Sequence, residues 1–284
     1  MAGRPAGRRP WQLLAGTAVL AAFAALAVAA PLAGSPLRPD LTRGLTPTGL
    51  PVGPSARYPL GTDLLGRDEL ARLAYGVRVS LTVAIASNIA SIAIGAAVGL
   101  VAGFFRGPAE QVLMRLTDVG LALPYTLAGL VIAAIMPAGL TRVIVIITAL
   151  FWSYPARLVY GEVLRLRRRG FVEAGEAMGA SGLAVVRRHL LPQVTSLMLA
   201  YSPLNAASAV AFEATLSYLN AGINPPAPSL GNMISDGQAA ITYRPLLVIA
   251  PGLAVMALTL AFLLVGEGMK TRDPDARRLS WLGR

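Results

Sequence analysis

The sequence predicts an all-α, polytopic membrane protein with six transmembrane helices. Its 284 residues are 55% hydrophobic and only 14% charged, whereas roughly a quarter of the residues in an average soluble protein are charged. The mean hydropathy is correspondingly high, at +0.61. Windows of about 20 apolar residues, the length that crosses roughly 30 Å of hydrocarbon, begin and end at residues 11–33, 79–104, 113–137, 141–160, 192–216 and 245–266.

The first apolar window has two readings. It follows Arg4, Arg8 and Arg9 and ends near Ala29 and Ala30, which is the pattern of a cleaved signal peptide. Its apolar core is longer than the about 7 to 15 residues usual for such peptides. We therefore expect a retained first transmembrane helix.

The basic residues predict the orientation, because Lys and Arg near the ends of spans stay on the cytoplasmic side. Placing the amino terminus inside puts most of the 25 basic residues there, so both termini are expected to be cytoplasmic. This pattern also accounts for the net charge of +11 without nucleic-acid binding. The predicted divisions are 1–33 (amino terminus and first span), 34–78 (extracytoplasmic loop and interfacial helix), 79–266 (five-span core) and 267–284 (cytoplasmic tail).

The region before the second span changes character along its length. Residues 34–57 are rich in Pro, Gly and Thr and show no periodicity, which predicts a loop. From Asp68 onward, Leu70, Leu73 and Val77 recur on one helical face. An amphipathic helix lying in the membrane interface is the expected result.

Three glycines in the second span share one helix face. Gly95, Gly99 and Gly103 repeat every four residues, and their lack of side chains lets another helix approach closely. The pattern is compatible with a packing seam inside this chain or with contact to a second membrane subunit. We expect the internal seam.

The fifth span carries a polar stripe. At about 100° per residue, a stripe roughly 80° wide contains Tyr201, Asn205, Ser208, Phe212 and Thr215. Lipid would penalise this stripe, so it should face protein or a water-filled path. Pro203 predicts a kink in the same helix. Glu213 lies about 120° from the stripe, near the outer end of the helix. It is either a helix-end carboxylate that snorkels or is paired, for example with Arg142 or Arg244, or part of the path or a gate.

The segment between the fourth and fifth spans, residues 161–191, is too polar for lipid and too regular for a linker. A short amphipathic helix is predicted from about Phe171, ended by Gly179, which tolerates a left-handed terminus. Ser181 can cap a second helix that runs to Pro192 at the start of the fifth span. The segment should fold as helix, turn, helix.

This segment resembles the signature of permease subunits of ABC importers, which reads E-A-A, three residues, G, nine residues, I, one residue, L-P. The corresponding residues are Glu173-Ala174-Gly175, Gly179, His189 and Leu191-Pro192, with Gly175 in place of the second Ala and His189 in place of Ile. YPLGTDLLGRDELARLAYGVRVSL, LMRLTDVGLALP and FEATLSYLNAGINPPAPSLGNMISDG are similar to the peptide/nickel group. Over roughly residues 55–275 the chain resembles the second permease of the pair in that group.

The resemblance implies a fold, an assembly and a set of site residues. The fold would be that of a type I, MetI-like permease in the bacterial cytoplasmic membrane. Its partners would be a second permease, two cytoplasmic ATPase subunits that bind ATP and Mg²⁺, and an extracytoplasmic solute-binding protein. The cargo would be a peptide, glutathione or a nickel complex. Coupling to the ATPase would fall to Glu173, Ala174, Gly175, Met178, Gly179, Leu191 and Pro192.

Other functions have weaker support in the residues. The G-x-x-x-x-G-K-[ST] motif is absent, so this chain cannot cradle ATP phosphates itself. With no Cys and one His, it lacks the paired ligands of a zinc protease and is expected to hold no metal or cofactor. The main rival is an ion-coupled secondary transporter using Glu213, Asp118 or Glu162. A loop that merely lies on anionic headgroups is the rival for residues 161–191.

Overall fold

The computed structural model describes residues 10–105, 107–168 and 181–270. A short 3₁₀ turn, Ala30–Ala33, follows the first helix, and a π-helical turn, Val186–Leu190, precedes the eighth. A second 3₁₀ turn is Gln238–Ala240. The α-helices of the described parts are α1 (Pro10–Ala29), α2 (Glu69–Phe104), α3 (Pro108–Ala122), α4 (Tyr125–Ile135), α5 (Leu140–Phe151), α6 (Ser153–Arg167), α7 (Gly182–Val185), α8 (Leu191–Tyr218), α9 (Leu230–Gly237) and α10 (Leu246–Lys270).

The all-α, multi-span prediction is confirmed. Four described stretches are long and apolar enough to cross a membrane: Trp11–Leu32, Glu69–Phe104, Leu140–Arg167 and Leu246–Met269. The bent pair formed by α3 and α4 brings the number to five if it counts as one span. The fifth predicted span, residues 192–216, forms α8, which is long enough at 28 residues but is less apolar because of its polar side chains.

The predicted interfacial helix and the second span form one helix, α2, which passes residues 78 and 79 without a break. The Asp68 carboxylate caps α2 by accepting from the backbone N–H groups of Leu70 (2.9 Å) and Ala71 (3.4 Å). The helix continues through Gly76. Glycine suits this position because α9 packs closely against it, and a Cβ there would lie 3.0 Å from the Leu230 side chain. A helix of 36 residues is about 54 Å long, so its first turns extend beyond roughly 30 Å of hydrocarbon.

The third and fourth predicted spans are each divided into two helices. The axes of α3 and α4 meet at 95°, because Pro124 drives Leu123 into an extended conformation with φ −71° and ψ 133°. The predicted straight span 113–137 is therefore bent. The fourth predicted span consists of α5 and α6, and it extends beyond its predicted end at residue 160 to Arg167. Trp152, between the two helices, keeps helical dihedrals, φ −73° and ψ −25°.

Helix α2 lies at the centre of the bundle and packs against α1, α5, α6 and α8. Helix α10 packs against α1, α8 and α9. One apolar cluster joins α5 and α8 through residues such as Ile146, Phe212 and Leu216. A second joins α6 to α8 through Val163 and Val194. In lipid these contacts stabilise the bundle mainly by van der Waals packing.

The loop before α2 is ordered by hydrogen bonds, although its sequence shows no period. Thr62 Oγ1 donates to the Gly44 carbonyl (2.5 Å) and accepts from the Val52 N–H (2.9 Å). Arg244, just before α10, donates from Nε to the Pro51 carbonyl (3.2 Å). The loop is thereby held together internally and tied to the residue that lies just before α10.

Carboxylates organise the same loop. The Tyr58 hydroxyl donates to Asp40 (2.8 Å), and this bond, with a second from Thr42, lowers the pKa of the Asp40 carboxyl. Asp63 accepts from Arg67 Nε (2.6 Å) and lies 3.4 Å from Nε of Arg72 on α2. The loop therefore folds onto the start of α2.

Candidate functional site

Most of the predicted coupling residues lie outside the described residues: Glu173, Ala174, Gly175, Met178 and Gly179. Leu191 and Pro192 form the first turn of α8, and both are exposed. Ahead of them, Ser181 Oγ accepts from the Ala184 N–H at 3.4 Å, which is the cap expected there. The chain then continues through the π-helical turn directly into α8.

The two described flanks of residues 161–191 are packed firmly onto the bundle. After the segment, Leu190 and Val194 are buried against Val163 of α6. Before it, Arg167 Nη1 donates to the Phe104 carbonyl (2.5 Å), and the Arg167 guanidinium lies 5.3 Å from the Phe104 ring centroid. These contacts join the described flanks of the segment to α2 and α6.

The predicted polar stripe of α8 is divided between two faces. Ser208 and Thr215 are exposed and donate only to backbone carbonyls one turn back, at 3.1 and 2.9 Å. Phe212 lies in the core, 5.3 Å from the Phe151 ring. Tyr201 stacks on Tyr154 with 5.3 Å between ring centroids. We define the outward face of α8 by four exposed residues in its carboxyl-terminal half, Leu204, Ser208, Ala211 and Thr215.

Asn205, the fifth member of the stripe, is buried against α2. Its Nδ2 donates to Asn88 Oδ1 (2.9 Å) and to Ser91 Oγ (3.0 Å). Asn88 Nδ2 in turn donates to Ser202 Oγ (2.7 Å). These bonds satisfy the buried amides and hold α2 and α8 together.

Glu213 is fully buried between the same two helices. It accepts from Ser80 Oγ (2.6 Å) and Ser217 Oγ (2.9 Å). The partners suggested by sequence are engaged elsewhere. Arg142 donates to the carbonyls of Ala133, Met136 and Gly222, and Arg244 donates to that of Pro51. Glu213 is thus a buried hydrogen-bond acceptor, and an arginine partner is the wrong assignment for it.

The three glycines of α2 face α6 of the same chain. A Cβ at Gly95 would lie 2.6 Å from the Trp152 carbonyl oxygen, and one at Gly99 would lie 2.5 Å from that of Ala156. A Cβ at Gly103 would lie 2.7 Å from the Val163 side chain. The two backbones therefore meet along this face, and α6 occupies it.

Sequence and structure comparisons place this helical chain among known proteins. The sequence profile described as binding-protein-dependent transport system inner membrane component matches residues 95–270, more than half of the chain. The chain belongs to this family. The matched region of this permease begins inside α2 and ends with α10, and it includes both flanks of the segment 161–191.

Several curated permeases are similar to this one. The glutathione transport system permease protein GsiD of Pectobacterium atrosepticum is 34% identical over 226 residues, which are 79% of this chain and 75% of that protein. The oligopeptide transport system permease protein OppC of Bacillus subtilis is 33% identical over 226 residues, 79% and 74% of the two chains. The dipeptide transport system permease protein DppC of Lactococcus lactis is 31% identical over 221 residues, 78% and 64% of the two chains.

A solved structure shows the same fold. A chain of the MetNI methionine ABC transporter, in an inward-facing conformation, superposes with a TM-score of 0.57 at 19% sequence identity. The match covers 69% of this permease and 95% of that chain. The MetI-like fold implied by the sequence motifs is therefore confirmed.

Sequence reasoning missed the polar residues of α2 that receive α8. Ser80, Asn88 and Ser91 are each nine-tenths or more buried in an otherwise apolar helix. Their spacing of eight and three residues places them on one face, which could have indicated a polar helix contact. Among the described residues, no group of three or more His, Cys, Asp and Glu side chains could hold a metal ion.

Proposed function

We propose that this permease is one of two different membrane subunits of an ATP-driven importer of peptides. The observation that carries the proposal is its similarity, over 226 residues each, to permeases named for glutathione and oligopeptide transport. Because the relatives differ in named cargo, the proposal extends to the class of short peptides and not to one compound. Nickel complexes have no counterpart among the three relatives described above.

The proposed assembly contains five proteins: two permeases, two cytoplasmic ATPase subunits and an extracytoplasmic solute-binding protein. ATP and Mg²⁺ would bind to the ATPase subunits, and this chain would hold no cofactor. The outward face of α8 supports a second permease, because its four residues are exposed whereas all the other residues from 203 to 217 are buried. Cargo would pass between the two permeases, beside Ser208 and Thr215.

The proposed mechanism is alternating access driven through residues 161–191. This segment would dock on an ATPase subunit, with Glu173 facing that subunit and Ala174 and Gly179 allowing close approach. The packing of Leu190 and Val194 on α6 supports the transfer of movement into α8. ATP can change the direction of opening only if it binds more tightly to one permease state than to the other.

The proposed orientation places both termini and residues 161–191 in the cytoplasm, and the loop before α2 outside. The excess of basic residues on the proposed inner side supports it. Proton coupling by this chain has little to support it. Glu213 has two hydroxyl donors, and Asp118 forms an ion pair with Arg157.

Variants in the segment 161–191 test the coupling proposal. In the reconstituted complex, Glu173→Ala and Gly179→Leu are each expected to abolish cargo-stimulated ATP hydrolysis while leaving membrane insertion intact. Glu162→Ala is the matched control, because it removes a carboxylate that pairs with Arg165 on α6, outside the signature. Stimulated hydrolysis at the wild-type rate in both segment variants would contradict the proposal.

A further inference from the structure

A cavity of about 470 Å³ lies at the start of α2, away from the polar stripe of α8. It is bounded by loop residues 63–67, the first turns of α2, the 225–226 turn, α9 and the start of α10. This volume is in the range of small-molecule sites. Much of its wall is apolar, formed by Leu64, Leu65, Pro225, Pro226, Met233 and Leu247.

Five charged side chains also line the cavity. Asp63, Arg67, Glu69 and Arg72 are each at least nine-tenths buried, and Asp236 lies at the partly exposed rim. Asp63 is well paired, since its carboxylate accepts from Arg67 Nε (2.6 Å) and from the backbone N–H groups of Leu65 and Arg67 (2.9 Å each). Burial of the other groups is unfavourable unless each finds a partner.

Two of these buried side chains have polar atoms without a hydrogen-bond partner in the part of the chain that the structure describes. Arg72 is 1% exposed, and its Nη1 has no hydrogen-bond partner. Its Nη2 reaches Asp236 only at 3.7 Å. Glu69 is 2% exposed, and its carboxyl makes no hydrogen bond or ion pair among the described residues. The wall of the cavity therefore contains one donor, Arg72 Nη1, and one acceptor, the Glu69 carboxyl, that make no hydrogen bond to a described residue.

The charge balance selects the kind of ligand. Three carboxyl groups and two guanidinium groups line the cavity, and Asp63 engages Nε of both arginines. A simple anion bound at Arg72 would therefore be repelled by the carboxyl groups of Glu69 and Asp236, because Asp63 already engages both arginines. A ligand that carries a cationic group beside a neutral acceptor matches Glu69, Asp236 and Arg72 together.

We propose that this cavity binds the amino terminus of a short peptide. The ammonium group would donate to Glu69 and Asp236, and the first carbonyl oxygen would accept from Arg72 Nη1. The first side chain would lie against the apolar wall formed by Leu65, Met233 and Leu247. The need for an ammonium group follows from the cavity, whereas the choice of peptides among amines rests on the proposed function.

Titration of the permease with leucyl-alanine tests this proposal. The full-length permease, with the subunits that co-purify with it, is placed in lipid nanodiscs without ATP, and binding is measured by isothermal titration calorimetry. Acetylation of the peptide amino group removes the ammonium charge and adds one small acetyl group, and we expect it to weaken binding about tenfold or more. Glu69→Gln, which keeps the side-chain size, is expected to cause a similar loss.

Glu162→Gln is the matched control, because it removes a carboxylate far along the chain on α6 and should leave the affinity unchanged. Equal binding of the free and acetylated peptides, or no saturable binding, would overturn the proposal. So would wild-type affinity in Glu69→Gln, since the peptide would then bind elsewhere. If Glu69→Gln does not assemble, the comparison of free and acetylated peptide on the wild-type permease tests the proposal by itself. Failure of the proposed function would instead appear as absent peptide-stimulated ATP hydrolysis.

Discussion

Replacement of Gly99 by alanine is expected to destabilise the permease through the contact between α2 and α6. The new Cβ would lie 2.5 Å from the Ala156 carbonyl oxygen, 2.7 Å from Val159 Cβ and 2.9 Å from the Tyr160 nitrogen. Ordinary contacts begin at 3.4 Å, so the helices would have to separate by about 0.9 Å. Two of the three atoms belong to the backbone, and no rotamer change can relieve the overlap.

The size of the effect follows from overpacking, which costs about 1 to 3 kcal/mol in a well-packed core. A chain of this size loses about 2 to 4 °C in Tm for each kcal/mol, so the expected decrease is roughly 2 to 12 °C. The Tm can be measured in detergent by the loss of the monodisperse peak in fluorescence-detected size-exclusion chromatography after heating.

Gly161→Ala is the matched control for this measurement. Gly161 lies in α6, and a Cβ there would meet no atom within 4 Å. Alanine should therefore raise stability slightly, by about 0.5 to 1 kcal/mol, through its better helix propensity. If Gly99→Ala is as stable as Gly161→Ala, the glycine face does not contact α6, and a second subunit becomes the better explanation of the repeat.

The polar contacts between α2 and α8 lead to two further predictions about the stability of variants at Glu213 and Asn205. Glu213→Ala should lower stability by about 2 to 4 kcal/mol, because the buried hydroxyls of Ser80 and Ser217 lose their acceptor. Glu213→Gln should lose less, and equal Tm values for the two variants would argue against this hydrogen-bonding role. Asn205→Leu should cost about 1 to 2 kcal/mol, measured by the same heating assay. Ser208→Ala, on the outward face, should stay within about 0.5 kcal/mol of wild type, and equal losses at the two positions would contradict the assignment of faces.

Hydropathy predicted the membrane character and the apolar helices because it is a local property that adds along the chain. The same is true of local helix signals such as Ser181, which caps α7 as expected. The family motifs predicted the MetI-like fold, which the structural comparison confirms. Local signals were less useful at helix boundaries. Asp68 starts a single 36-residue helix, although the hydropathy profile places the apolar span only from residue 79.

Tertiary structure alone assigned partners to the buried polar groups. Helical periodicity placed Asn205 and Phe212 on one stripe, but it could not say that α2 receives the first and that Phe151 of α5 packs against the second. Glu213 bonds to Ser80, 133 residues away, while Arg142 is held by backbone carbonyls. Rotation about one helix axis is set by residue spacing, whereas the choice of neighbour depends on how all the helices pack at once, and no single segment contains that information.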